Sequence, residues 1–375
     1  MAELDELRVA VAHHWFASMR GGEKVAAAIA AMFPDAPLFA LMVNPGVLPP
    51  DLARRPLTTS FIQTLARCSG SHRHWLALFG RAAASLDATA YDLVLCSDAA
   101  TIKGIRTRPD AIKVCYCHSP MRYIWEQTDD YARHTGAAGR LMLRLCAERL
   151  RRWDHAAAQS VTAFIANSQH VAERIKRCYG REATVIHPPV AVDFPPAVER
   201  PDDYYLVVGE QVEYKRNDLA VEACARLGRP LIVIGDGPML PRLRTMYAGA
   251  GSTIRFLGRQ PDEVVREHYR RCRALLFCGQ EDFGIVPVEA MAAGRPVLAY
   301  GRGGAVETVV PGKTGLFFED QRAESVIAAI EAFEAREGQF NAVSIQQHAQ
   351  RFSYERFDGE LIAYLETLVR KGHDA

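Results

Sequence analysis

Long apolar runs are missing from this chain. No stretch reaches the ~18 uninterrupted apolar residues of a membrane-spanning helix, so the chain is expected not to cross a bilayer. A basic start is missing too. The first residues, MAELDELRVAVAHHW, are acidic where an export signal needs lysine or arginine, and their apolar stretch is only strand-length, which argues for a cytoplasmic protein. Nine cysteines show no CxxC pair and no Cys/His ladder at metal spacing, and an odd count speaks against a complete disulfide framework. Cys115 and Cys117 alternate on an apolar run and read as strand residues facing a core rather than as metal ligands. No block of one charge sign occurs. The net charge is +1, with 24 Lys+Arg against 19 Asp+Glu up to residue 200 and 21 against 25 beyond it. That imbalance is too mild for a nucleic-acid protein, yet it suits an anionic ligand or an anionic membrane surface. Internal repeats and low-complexity tracts are also lacking.

What is present is a globular balance, 49% hydrophobic and 24% charged, in a chain of 375 residues, too long for one ordinary α/β core. Strand-length apolar runs alternate with helical stretches, the pattern of parallel sheets wrapped by helices. One series runs Arg8 to Ala12, Asp92 to Cys96, Ile112 to Cys117, Ala163 to Ala166 and Ala183 to Ile186. A second runs Tyr205 to Val208, Leu231 to Ile234, Ile254 to Leu257, Ala274 to Phe277 and Pro296 to Ala299. Between them His187-Pro188-Pro189-Val190-Ala191-Val192-Asp193-Phe194-Pro195-Pro196 carries four prolines in ten residues, which forbids helix and central strand and marks a linker. The last stretch, Tyr354 to Arg370, places Phe357, Leu361, Tyr364, Leu365 and Leu368 at helical spacing. Residues 137 to 158 predict another helix, with Leu141, Leu145 and Ala156 apolar and Arg140, Arg144, Arg149, Arg151 and Arg152 along it. A solvated basic face is the favoured reading, and contact with a membrane surface the lesser one.

The chemistry is densest at Gly279-Gln280-Glu281-Asp282-Phe283-Gly284-Ile285-Val286-Pro287-Val288-Glu289, which follows an apolar strand and opens a helix. Pro287 suits a first helical turn, and Gly294 suits its stop. Backbone N–H groups from about Gly284 to Val288 therefore converge, and helix starts of this kind bind phosphate. Glu281 and Glu289 flank that loop, where carboxylates accept hydrogen bonds from sugar and ribose hydroxyls. Either alone has a plainer explanation, Glu289 as an acid complementing the helix dipole and Glu281 as an exposed loop acid. Lys215, after the strand Tyr205 to Val208, can neutralise a diphosphate, with Arg216 beside it. Ile234-Gly235-Asp236-Gly237-Pro238 ends a strand in a glycine turn. In the first half, Gly21 and Gly22 open a helix after the first strand and permit close backbone approach to a ligand. His118, in Tyr116-Cys117-His118-Ser119-Pro120-Met121-Arg122-Tyr123-Ile124-Trp125, follows the carboxyl end of another strand, where α/β proteins bind ligands.

Glu281 and Glu289, with seven residues between them inside EDFGIVPVE and followed by AMAAGRPVLA, resemble the signature of glycosyltransferase family 4 (GT4), a family of retaining enzymes. Tyr300 to Glu307 and Gly312 to Phe317 resemble its further glycine-rich and turn motifs, and the likeness runs from about residue 8 to 370. The resemblance implies an α/β GT-B fold of two Rossmann-like domains with parallel sheets facing across a cleft. Residues 1–187 would form the acceptor-binding domain, with the helix 354–375 packing back on it, and 188–353 the nucleotide-sugar domain. It also implies site roles. His118, Glu281 and Lys215 would be catalytic. Gly21, Gly22, Lys215, Arg216, Gly237, Glu281, Phe283, Gly284, Ile285, Val286 and Glu289 would hold the donor. The family usually carries an arginine five residues before the lysine, and this chain has Glu210 there. HSPMRYIW resembles the subset acting on lipid-linked glycans, many of them mannosyltransferases using GDP-mannose, with Arg122, Tyr123 and Trp125 on the acceptor side.

The expected function is transfer of a hexose, mannose from GDP-mannose in the first instance and a UDP-hexose behind it, to a hydroxyl of a lipid-linked or other glycan. Partners would be the nucleotide-sugar and that acceptor, with no nucleic acid. Peripheral contact with the inner face of the cytoplasmic membrane follows only for a lipid-linked acceptor. No aspartate pair stands at DxD spacing where a divalent ion would bridge the phosphates, so neither metal nor other cofactor is expected. A GT-B epimerase and a non-catalytic nucleotide-sugar-binding partner of a glycan assembly complex are the competing readings.

Overall fold

The computed structural model describes residues 2–69, 72–126, 137–198, 200–250 and 253–373. The chain divides into two compact units, Met1–Pro188 with Phe357–Ala375, and Pro189–Arg356. The strands of the first are β1 Val9–His13, β2 Leu38–Ala40, β3 Leu57–Thr59, β4 Leu93–Asp98, β5 Ile112–Cys117, β6 Ala163–Ala166 and β7 Ala183–Val185. They form one sheet in the order β3-β2-β1-β4-β5-β6-β7. The second unit contains β8 Tyr205–Val208, β9 Leu231–Ile234, β10 Ile254–Gly258, β11 Ala274–Phe277, β12 Val297–Tyr300 and β13 Gly315–Phe318, in the order β10-β9-β8-β11-β12-β13. Every strand pair in both sheets is parallel.

Parallel strands are covered on both faces, so their alternating side chains must feed two cores rather than one. In the first unit Val11, Leu93, Leu95, Val114 and Tyr116 enter one cluster, while Ala10, Ala12, Val94, Cys96, Cys115 and Cys117 enter the other. The alternating cysteines are thus core residues. In the second unit Leu206, Ile232, Ile234, Leu275 and Phe277 face one side, and Tyr205, Val207, Leu231, Val233 and Leu276 the other. Three strands escaped the apolar-run reading. β3 is Leu-Thr-Thr at a sheet edge, with nothing fully buried to make a run. β2 is three residues long, and β13 lies inside a segment read only as a turn motif. The expected strand starting at Pro296 begins instead at Val297, since proline has no N–H to give to a ladder.

The last helix, Tyr354–His373, carries Phe357, Leu361, Leu365 and Val369 into the first unit's core beside Val11, Leu95 and Tyr116. Spacing of four residues keeps them on one stripe. In the proline-rich stretch, Val190 and Val192 are buried in the second unit's core, and the Val190 N–H donates to the Phe352 carbonyl at 2.8 Å. The basic helix runs Ala137–Gln159. The side chains of Leu141, Leu145, Arg140 and Arg144 lie outside the described residues, and Arg151 and Arg152 both meet Glu148. Among the described residues no helix is long and apolar enough to cross a membrane.

Each sheet reverses its winding once, between β1 and β4 and between β8 and β11. Connections diverge there and leave a crevice at the strands' carboxyl ends, the place where open α/β sheets bind ligands.

Candidate active site

At the second unit's reversal point, the segments leaving β8 and β11 bring Lys215 and Glu281 together. Lys215 Nζ lies 2.7 Å from Glu281 Oε1, with side chains 16% and 20% exposed. Burial, the largest single effect, would push the lysine toward neutrality, but Glu281 together with Tyr214 and Glu210 outweighs it, and its pKa is raised. Lys215 is therefore a fixed cation. The Gly304 N–H donates to the Glu281 carbonyl at 2.9 Å, which ties this loop to the turn after β12.

Next to this pair the helix Ile285–Ala292 begins. Gly284 precedes it at φ +87°, a backbone that side chains rarely adopt, and no side chain caps the helix. Its first-turn N–H groups are the orphan donors of any helix start and favour an anion. Ile285 and Val286 are half-buried there. The ring of Phe283 turns into the core against Phe352, 5.7 Å between centroids, so its backbone is what it can offer a ligand. Glu289 Oε2 accepts from the Tyr269 hydroxyl at 2.9 Å.

Arg216 ends the turn Glu213–Lys215 at φ +49°, the one positive φ outside glycine among the described residues. Its guanidinium meets Asp218 at 3.3 Å through two nitrogens. Gly237 lies after β9 with its N–H on Asp236 Oδ1 at 2.8 Å. Close by, fully buried Gln211 holds the turns together, donating to the Gly209 carbonyl at 2.7 Å and accepting from Asn217 Nδ2 at 3.2 Å.

In the first unit, the helix Gly21–Met32 starts beside His118: a Cβ on Gly22 would sit 3.7 Å from the ring. The β1–β4 register sets His13 opposite Ser97. His13 Nδ1 lies 2.9 Å from the Ser97 carbonyl oxygen and 3.0 Å from its Oγ, and Ser97 Oγ lies 2.7 Å from His118 Nε2. His14 Nδ1 is 3.3 Å from the same carbonyl. Burial first, then His14 and His118, hold His13 well below the usual histidine range, so it is neutral. Sequence reading missed His13 and Ser97 because it closed the two strands early, β1 by one residue at Ala12 and β4 by two at Cys96, and with them His14, which follows β1. Polar residues at the carboxyl ends of strands were the available signal.

Arg122, Tyr123 and Trp125 lie on the short helix Arg122–Trp125 and are half-buried. The Tyr123 hydroxyl contacts Met121 Sδ at 3.0 Å, and Trp125 Nε1 donates to Asp154 at 2.8 Å. Asp154 also takes the Tyr179 hydroxyl at 2.8 Å and pairs with Lys103 at 2.5 Å, while Lys103 reaches Asp98 at 3.1 Å. That buried chain fixes Trp125 from behind. A separate cavity of about 610 Å³ opens by the amino ends of β5 and β6. Lys113 there donates to Lys103 and Ile105 carbonyls and to Ser160 Oγ at 3.1 to 3.2 Å, so its three protons are taken by the protein.

Two doubly wound units, one with a cation and an open helix start at its reversal point, define an α/β protein of two Rossmann-like domains. Comparison with known proteins sharpens this. Residues 19–194 match the family model described as Glycosyltransferase Family 4, and residues 193–353 the one described as Glycosyl transferases group 1. A D-inositol 3-phosphate glycosyltransferase of Geodermatophilus obscurus is 32% identical over 234 residues, 53% of this chain and 51% of that one. A GDP-mannose-dependent alpha-(1-6)-phosphatidylinositol monomannoside mannosyltransferase of Mycolicibacterium smegmatis is 28% identical over 226 residues, 52% of this chain and 58% of that one. The chain spans about half the length of these curated relatives. Among solved structures, Anabaena HepE in complex with UDP superposes with a TM-score of 0.72 at 17% identity, over 96% of this chain and all of that one. The chain belongs to the family 4 type of glycosyltransferases and has the GT-B fold.

Proposed function

We propose that the protein moves a hexose from a nucleotide-sugar to a hydroxyl of a lipid-linked or other glycan acceptor, with retention at the anomeric carbon and without a divalent cation. The Lys215–Glu281 pair beside the uncapped helix start at Gly284 carries this reading: a cation and a ring of N–H donors for a diphosphate, next to a carboxylate for sugar hydroxyls. As the bond from the sugar's anomeric carbon to the phosphate oxygen breaks, charge grows on the nucleoside diphosphate. Lys215, the amides of Gly284 to Val286 and the Gly21-Gly22 turn stabilise it. The acceptor hydroxyl attacks the same face, its proton passing to the departing phosphate, while Glu281 and His118 orient the sugar and Glu289 binds the ribose. Arg216 supplies the second cation where Glu210 stands.

The mannosyltransferase relative supports GDP-mannose as donor and a lipid-linked acceptor. For that acceptor the protein works at the inner face of the cytoplasmic membrane. The test is transfer from GDP-mannose and UDP-hexoses, in EDTA, to lipid-linked acceptors, with the product's anomeric configuration read by NMR. Glu281→Gln is expected to lower turnover about 100-fold or more with folding intact. Unchanged turnover removes Glu281 from the site. Nucleotide-sugar binding without any glycoside product favours the non-catalytic partner.

A further inference from the structure

The three-residue cluster at the end of β1, β4 and β5 contains a proton arrangement that the proposed function does not use. A carbonyl oxygen has no hydrogen, so the 2.9 Å contact between it and His13 Nδ1 requires the proton of neutral His13 to lie on Nδ1. The Ser97 oxygen, 3.0 Å from the same Nδ1, then meets a hydrogen from that side and can give it none. Among the described residues its one hydrogen has a single acceptor in reach, His118 Nε2 at 2.7 Å.

We infer that Ser97 sets the proton on His118: its hydroxyl donates to Nε2 and keeps the ring's own proton on Nδ1. Neutral imidazole in water prefers the other form, with the proton on Nε2. The cluster inverts that preference and makes Nδ1–H of His118 a donor of fixed direction. His13 and Ser97 sit on strand ends locked by ladder register, His118 directly follows β5 with its N–H on the Asp98 carbonyl at 2.8 Å, and Ser97 and His13 are fully buried, so the arrangement is built before any ligand arrives. Ser97 is a positioning residue. Its effect on sugar transfer rests on the role proposed above for His118; the proton's place does not.

The test is ring ¹⁵N NMR of histidine-labelled full-length protein at neutral pH, with His118 assigned by loss of its signals in His118→Asn. The wild type is expected to show His118 protonated on Nδ1, Ser97→Ala to shift it toward the Nε2–H form, and Ser97→Thr, which restores the hydroxyl, to return it. His118 found as Nε2–H in the wild type, or unmoved in Ser97→Ala, overturns the inference. In transfer assays Ser97→Ala should lower kcat about 10- to 100-fold with KM for the donor nearly constant, and Ser97→Thr should recover most of it. A shifted proton with unchanged kcat confirms the relay and overturns the role of His118.

Discussion

Arg216 has a left-handed backbone, φ +49° and ψ +34°, one residue after Lys215. For a side-chain-bearing residue this costs roughly 1–2 kcal/mol, and such strain gathers where a site over-determines the chain. Arg216→Gly relieves the strain and Arg216→Ala does not, although both remove the guanidinium. The glycine variant should therefore be more stable than the alanine variant by about 1 kcal/mol in denaturant unfolding, while both lose donor affinity equally. Equal stabilities would remove the strain, and unchanged affinity would remove the cation. That Lys215 follows β8, Glu281 follows β11 and Glu289 lies in the next helix was legible in the sequence, because apolar runs and glycine and proline punctuation mark those boundaries locally. That Lys215 and Glu281 pair was not, since it depends on β8 lying next to β11. His13 and Ser97 were less legible still: they stand 84 residues apart, and only the parallel register between β1 and β4 makes them neighbours.

Among the elements, the turns after β8 and β9 are interlocked backbone to backbone. Gly235 sits at φ +125°, and a Cβ there would fall 1.9 Å from the Gly209 carbonyl oxygen, which cannot swing aside as a flexible side chain would. Gly235→Ala is expected to destabilise by about 2–4 kcal/mol and to weaken nucleotide binding through the displaced Lys215 turn. A loss under about 0.5 kcal/mol in equilibrium unfolding would contradict this packing. The Ile-Gly-Asp-Gly-Pro turn was visible as a motif, but its partner Gln211 was not, because a buried glutamine is recognisable only by the carbonyls it satisfies. The helices Ile285–Ala292 and Tyr354–His373 were legible from glycine punctuation and apolar spacing, whereas short edge strands such as β3 have no periodicity to read.

Across the whole molecule, stability depends on long-range ion pairs as well as on the two cores. Glu334, on the helix Ala323–Glu334 of the second unit, accepts from Arg229 at 2.7 and 2.8 Å, from the Tyr205 hydroxyl at 3.0 Å and from Arg273 at 3.3 Å. The Arg229 hydrogen bonds hold its pKa below the usual value against the opposing effect of burial. A depressed carboxylate stabilises the fold above its unfolded value near 4.3, and that contribution is lost as the pH falls through the folded value. Glu334→Gln should thus cost about 2 kcal/mol at pH 7, with the difference from wild type shrinking steadily below pH 4. A difference independent of pH would show that the carboxylate's charge is not what matters there.

The claim that the second unit holds a nucleotide diphosphate through Lys215 is tested most directly by thermal stabilisation with GDP, UDP, ADP and their sugar conjugates in EDTA, on wild type and Lys215→Ala side by side. Ligand at a hundredfold its dissociation constant adds about 2.7 kcal/mol. The expected result is a shift confined to one nucleotide family, GDP first, present without metal and largely lost in Lys215→Ala while the variant itself stays folded. No shift with any nucleotide, or an equal shift in Lys215→Ala, would contradict it.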